Sequence, residues 1–179
     1  MSDIMTPEQR HRCMSNIRGK DTLPELKVRQ WLWKHGYRYR LHVKSVPGKP
    51  DIVMRTYRTA IFVNGCFWHG HQGCSKFRIP KSNTAFWKDK IERNRKRDIR
   101  NYTELHNNGW HVIVIWECQI TPHNIEKTML EVSVALNENL LSQYRPTQKQ
   151  YDIDPERTFS FAAEESTVYN KNEKSYTSD

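Results

Sequence analysis

The sequence has no run of about 18 apolar residues, so no stretch reads as a membrane-spanning helix. Its opening segment, MSDIMTPEQRHRC, is polar and lacks the apolar core of a secretory signal. Four cysteines in 179 residues are too few for a disulfide scaffold, which points to a reducing compartment. No internal repeat is visible, and seven glycines exclude a collagen-like chain. Apolar residues make up 36%, low for a globular protein but enough for one compact core and too many for a wholly disordered chain.

Charge is present in excess and unevenly spread. The chain carries 29 Lys plus Arg against 20 Asp plus Glu, a formal net charge of +9. Residues 151–179 hold three basic and seven acidic residues, net −4, which leaves +13 on the first 150. That excess is the electrostatic footprint of a polyanionic partner, with ordinary solubility charge as the plain alternative. From about Tyr144 the chain turns polar and patternless and reads as a tail. The division expected is a domain over 1–143, with 1–20 as an N-terminal arm, and a tail over 144–179.

The elements follow from caps and periodicity. Thr6-Pro7-Glu8 reads as a helix start, with Thr6 as N-cap and Cys13 within the helix. Residues 15–20 form a basic connector. Thr22-Leu23-Pro24-Glu25 fits a capping box opening a second helix, which Gly36 stops. Residues 37–44 alternate Tyr37, Tyr39, Leu41, Val43 against Arg38, Arg40, His42, Lys44, the pattern of a half-buried strand. After the Pro47–Pro50 turn, strands over 51–55 and 59–63 are predicted to pair as a hairpin. A loop rich in Gly, Cys and His covers 64–75, and a long helix runs from about Thr84 to Asn107, stopped near Gly109. Residues 112–116, Val-Ile-Val-Ile-Trp, read as a central, doubly buried strand, and 123–142 as a last amphipathic helix. This order predicts an α/β sandwich on a mixed sheet.

Several residue groups suit chemistry. Pro50-Asp51 opens a strand, where a carboxylate can ligate Mg²⁺ or merely cap the turn. The acidic-x-Lys half motif that accompanies Pro-Asp in many nucleases is absent, since 61–65 read Ile-Phe-Val-Asn-Gly. Cys66, His71 and Cys74 lie within nine residues, and Cys118 follows the predicted core strand. Four such ligands fit a closed, structural zinc site, with His69 as an alternative fourth ligand and two unrelated thiols as the bland alternative. Phe67 and Trp68 sit side by side in a hydrophilic loop, suited either to contact with bases or to capping a thin core. On the long helix, Trp87, Ile91, Asn94, Asp98, Tyr102 and Leu105 share one face, so Asn94 and Asp98 point where apolar residues belong. For Asp98 the simplest partner is a neighbouring Arg. Glu25 holds the return position of the capping box, which favours a structural role.

Together these residues resemble the very short patch repair (Vsr) DNA mismatch endonucleases. The matching stretches are Met14-Ser-Asn-Ile-Arg-Gly-Lys-Asp-Thr22, Glu25, Val46-Pro-Gly-Lys-Pro-Asp51, Gly65-Cys-Phe-Trp-His69 with His71, Phe86-Trp-Lys-Asp-Lys-Ile91, Asn94, Arg97-Asp98, Gly109-Trp110 and Trp116-Glu-Cys118. They span about residues 8 to 142. The resemblance implies a restriction-endonuclease-like α/β/α core with a mixed sheet and a structural zinc loop. It implies Mg²⁺-dependent nicking of duplex DNA 5′ to the T of T·G mismatches that arise when 5-methylcytosine deaminates. Asp51 and the backbone carbonyl of Val63 would hold Mg²⁺, and His69 would act as base or water-positioning group, with Asp98 and Glu25 in support. Cys66, His71, Cys74 and Cys118 would hold Zn²⁺.

Phe67, Trp68 and Trp87 would form a wedge beside the mismatch. Met14 and Ile17 would embrace the duplex from the minor groove, and Arg93 and Arg97 would hold phosphates. A functional link to a cytosine-5 DNA methyltransferase follows, with a MutL-type repair protein as a candidate partner, no membrane, and a cytoplasmic, nucleoid-associated place in a bacterium. The chain departs from the resemblance at Val63-Asn64, where some members have threonine and histidine, and in Gly73, which lengthens the zinc loop. That departure and the absent half motif keep two alternatives open: a non-catalytic, zinc-stabilised DNA-binding module, and a related restriction endonuclease.

Overall fold

The computed structural model describes residues 6, 8, 9, 12 and 19–144. The expectations for Cys13, Met14, Ile17 and the tail from 145 onward lie outside the described residues. At the N-terminal side, Thr6 and Gln9 exchange side-chain-to-backbone bonds of 3.0 and 3.2 Å, so Thr6 caps as its sequence context predicts.

Helix α1 spans Leu23–Lys34. Thr22 and Glu25 close the predicted capping box, and Tyr37 N–H returns to the Leu32 carbonyl at the other end. Three strands follow, β1 (Arg40–Leu41), β2 (Ile52–Met54) and β3 (Thr59–Asn64). Helix α2 (Thr84–Asn107) leads to β4 (His111–Trp116), a 3₁₀ turn (Glu117–Gln119) and helix α3 (Ile125–Gln143). Helix α2 ends where a left-handed residue is needed: Gly109 has φ of +72°, and Trp110 N–H bonds the Leu105 carbonyl at 2.9 Å.

Among the described residues the sheet runs β1-β2-β3-β4, antiparallel except for the parallel β3–β4 pair. The predicted hairpin is present, with Ile52 opposite Ile61 and Met54 opposite Thr59. Alternation sorts the strands onto two cores. Ile52, Met54, Ile61 and Ile115 pack with Val28, Trp31 and Leu32 of α1 and Met129, Val132 and Leu136 of α3. Val53, Ala60 and Phe62 face the other way, toward Leu105, Tyr102 and Trp110. The result is the expected α/β/α sandwich on a mixed sheet. No helix among the described residues is long and apolar enough to cross a membrane.

Two strand expectations need correction. The predicted strand over 37–44 shrinks to Arg40–Leu41, because His42 adopts a left-handed φ of +45° that ends the extended run. Tyr37 and Tyr39 still pack on the core, while Leu41 is exposed. The Val112–Trp116 run is not a central, doubly buried strand: β4 forms an edge of the sheet and is mostly half-buried. The central, buried positions belong to β2 and β3. A continuous apolar run marks contact with helices on both faces, and it does not say how many strands flank it.

Leu105 is fully buried and anchors α2 to the second core. Leu105→Ala should lower unfolding stability by about 3 kcal/mol, read as a fall in the urea midpoint at unchanged slope.

Candidate active site and metal cluster

Asp51 stands immediately before β2 and shares the pleat parity of Val53, which faces α2. Its Oδ2 accepts a 2.8 Å hydrogen bond from Val63 N–H near the end of β3. Burial raises the Asp51 pKa above the ordinary carboxylate value, opposed by that hydrogen bond and by the charges of His42, Arg29 and His69. A carboxylate so placed is costly to ionise alone and has the basic side chains of Arg29, His42 and His69 near it.

The loop that carries His69 is a tight turn, with His69 N–H bonding the Gly65 carbonyl and His71 N–H bonding the Cys66 carbonyl. The turn presses on α2. A Cβ at Gly70, whose φ is +63°, would meet Ile91 Cγ2 at 2.8 Å and Arg95 Cδ at 3.1 Å, so only glycine fits. Helix α2 answers with its polar inner face. Asn94 Nδ2 donates to the Trp68 carbonyl at 2.9 Å, and His69 Nδ1 lies 2.5 Å from Asp98 Oδ2. The partner of Asp98 is therefore His69 in the first place, with Arg97 contributing a 3.5 Å contact to the other oxygen. With its Nδ1 proton donated to Asp98, the imidazole presents Nε2 as a free base.

Arg29 and His42 belong to a network the sequence reading missed. Arg29, with a side chain 9% exposed, pairs with Asp21 at 2.5 Å and with Glu25 Oε1, and contacts His42 Nε2 at 3.0 Å. Glu25 is 2% exposed, and its Oε2 accepts from Thr22 N–H at 3.3 Å. So the capping role of Glu25 and its place beside the Asp51 region coexist, and both its oxygens are engaged. Asp21, Glu25 and His42 have the composition of a cation site, yet the Arg29 guanidinium already provides the positive charge among them. The signal for this network was present: Arg29 is four residues from Glu25 on the same helix face, and His42 lies on the polar side of the alternating segment.

The thiols gather as expected. Cys66, His71, Cys74 and Cys118 offer ligand atoms that all lie within 4.8 Å of one another. His71 Nδ1 is 3.6 Å from Cys66 Sγ and 3.4 Å from Cys118 Sγ, and its ring stacks on Trp116 at 4.1 Å. Cys118 is the fourth member, and His69 is directed to Asp98 instead. Burial pushes the Cys66 thiol up to about 12 and raises Cys118, whereas the backbone N–H of Lys76 lowers Cys74. The cluster can hold a metal ion.

Phe67, Trp68 and Trp87 also come together. Their ring centroids are 5.1 to 6.1 Å apart in edge-on arrangements, and Phe86 adjoins Trp87 at 5.2 Å. Phe67, Trp68 and Trp87 are half-buried and Phe86 is 52% exposed, so the aromatics form a surface ridge. Lys90 Nζ lies 5.4 to 5.7 Å from three of the rings. Arg93 is exposed beside Asp89 on the outer face of α2, and Arg97 is half-exposed next to Asp98.

The Arg29–Glu25 pair is testable by itself. Glu25→Gln leaves a buried guanidinium with Asp21 as its remaining carboxylate partner and should cost roughly 1.5–3 kcal/mol, whereas combining it with Arg29→Met should restore much of the loss. Chemical denaturation of the two single variants and the double variant measures this.

Comparison with known proteins bears on the whole constellation. A family model described as DNA mismatch endonuclease Vsr matches residues 2–76. The chain is 51% identical over 120 residues to a relative from Neisseria meningitidis serogroup A named "Type II nicking enzyme V.NmeAIP", covering 67% of this chain and 85% of the relative. It is 48% identical over 121 residues to "Type II nicking enzyme V.XorIIP" of Xanthomonas oryzae pv. oryzae, covering 68% and 88%. It is 38% identical over 120 residues to "DNA mismatch endonuclease Vsr" of Escherichia coli K12, covering 67% and 76%. Similarity of that extent, on an α/β/α core whose polar residues converge at the end of β3, leaves one assignment: the chain belongs to the Vsr family of DNA mismatch endonucleases.

Proposed function

We propose that this endonuclease nicks one strand of duplex DNA immediately 5′ to the T of a T·G mismatch, by Mg²⁺-dependent hydrolysis of the phosphodiester. The observation that supports it most is the Asp98–His69 pair acting on half-buried Asp51. Asp51 and the Val63 carbonyl would hold the divalent cation, which when bound supplies neutralisation of the charge that builds on the phosphate oxygens. His69 Nε2 takes or steers the proton of the attacking water, while Asp98 holds the Nδ1 tautomer and stabilises the imidazolium that results. Water oxygen bonds to phosphorus as the P–O3′ bond breaks, leaving a 3′-hydroxyl and a 5′-phosphate. Glu25, through Arg29 and His42, supports the same region.

Selectivity would come from the aromatic ridge. A T·G pair costs less to pry open than a matched pair, and Phe67, Trp68 and Trp87 are placed to use that difference. Lys88, Lys90, Arg93, Arg95, Lys96, Arg97 and Arg100 put dense positive charge along α2, suited to phosphates. Met14 and Ile17 would close on the duplex from the minor groove. The methyltransferase link and a MutL-type partner belong to this reading.

Zinc suits the second cluster. Tetrahedral zinc with sulfur and nitrogen donors needs ligand atoms on the order of 3.5–4 Å apart, a spacing the four side chains approach. Four protein ligands leave no open position, so the role is structural and ties the 65–74 loop to the 3₁₀ turn that follows β4.

Asp51→Asn should abolish nicking of a T·G duplex in Mg²⁺ with the melting temperature of the protein unchanged or raised, because a half-buried carboxylate is removed. Nicking by Asp51→Asn at the wild-type rate would sink the proposal, and mismatch-selective binding without any cleavage by the wild type would favour the DNA-binding module. Equal cutting of both strands of a matched duplex would favour the restriction enzyme. Cys74→Ser should take zinc from about one per chain to well below that and lower the melting temperature, read by metal analysis and calorimetry.

A further inference from the structure

The inner face of α2 carries a third polar residue that the mechanism above does not use. Tyr102 stands one turn beyond Asp98, and its Oη accepts a 3.0 Å hydrogen bond from Asn64 Nδ2. Asn64 is 4% exposed, closes β3, and directly follows Val63, whose N–H holds Asp51. The Tyr102 ring is wedged against Phe62, with centroids 4.9 Å apart, which limits where the phenol can point. A phenolic hydroxyl has one proton to give and lone pairs to receive. The Asn64 amide fills a lone pair, so the Tyr102 proton is directed elsewhere. The described residues offer it no hydrogen-bond acceptor, although the charges of Asp98 and Asp51 both act on it.

Resting on the endonuclease reading, we propose that Tyr102 is a further catalytic residue that donates its phenolic proton in a hydrogen bond to the scissile phosphate, with Asn64 as the positioning residue that sets its direction. The site has the charge logic for this. The charges of Asp98 and Asp51 act on the hydroxyl, opposed by Arg97, and a neutral donor there gives a phosphate oxygen a favourable contact beside carboxylates that repel it. Burial pushes the phenol up to about 12, so it keeps its proton throughout the neutral range. The departure at Val63-Asn64 then has a physical meaning. Asn64 is half of a strand-to-helix pair that supplies a fixed hydrogen-bond donor.

Tyr102→Phe removes the hydroxyl and keeps the ring on Phe62. Its single-turnover nicking of a T·G duplex at saturating Mg²⁺ should fall on the order of 10- to 100-fold, with melting close to wild type and affinity for the natural duplex lowered only by the phosphate preference that is lost. Asn64→Ala should slow the reaction less, and adding it to Tyr102→Phe should slow it no further, because the two act as one unit. A second readout needs no cleavage. In EDTA, the wild type should bind a T·G duplex more tightly than the same duplex with a neutral methylphosphonate at the nick position, and Tyr102→Phe should lose most of that preference. Wild-type nicking by Tyr102→Phe overturns the inference. So does slow nicking that tracks a lowered melting temperature while the methylphosphonate preference stays intact. A wild-type protein that does not nick T·G duplex overturns the endonuclease reading itself, and this inference with it.

Discussion

Helix α2 fastens the chain around the end of β3 through three side chains on one face. Asn94 holds the Trp68 carbonyl, Asp98 holds His69, and Tyr102 holds Asn64. These contacts stitch a loop, a strand end and a helix into one unit, flanked by Ile91 and Leu105, which are buried on the same face. A polar row in that position is tolerated only because every member is paired. Without it the 65–71 turn would be held to α2 mainly by the packing of Phe67 and Trp68 on Trp87. The glycine at position 70 matters for the same reason, since the turn must approach α2 closely enough for His69 to reach Asp98.

The charge arrangement around Asp51 has the same economy. A half-buried carboxylate is unfavourable when ionised, and His42, Arg29 and His69 act on it. Arg29 is itself buried and is neutralised by Glu25 and Asp21. The site is thus a nested set of compensations, each charge held by the next. Among the described residues one buried side-chain atom is left over: Arg29 Nε has no hydrogen-bond partner there, the cost of forcing a guanidinium to serve Asp21, Glu25 and His42 at once.

Much of this was legible in residue order, and the misses have physical causes. Capping chemistry placed the start of α1 at Thr22 and a stop signal at Gly36, and period-3.6 spacing put Asn94, Asp98 and Tyr102 on one inner face of α2. Ligand type and spacing grouped Cys66, His71 and Cys74 and left Cys118 or His69 as the fourth, a choice the fold makes for Cys118. The placement of β4 was misread because apolar content reports burial by helices as well as by strands. The strand over 37–44 was overlong because alternation cannot register one left-handed residue at His42. Arg29 and His42, thirteen residues apart, escaped notice because their contact depends on how the chain turns back after α1.

The sequence by itself determined which groups were available: a basic surface, a thiol and imidazole set, a carboxylate before a strand, an aromatic loop, and a helix with a polar inner stripe. Those are properties of composition and local periodicity, and they survive without any long-range contact. Only the tertiary structure decided the pairings. Asp98 took His69 as its first partner beside the neighbouring Arg97, Glu25 proved to be both cap and counter-ion, and Tyr102 met Asn64 across 38 residues of chain. Such choices depend on distances set by packing the sheet between its helices, and a hydrogen bond that is absent at 5 Å and strong at 3 Å cannot be read from spacing along the chain.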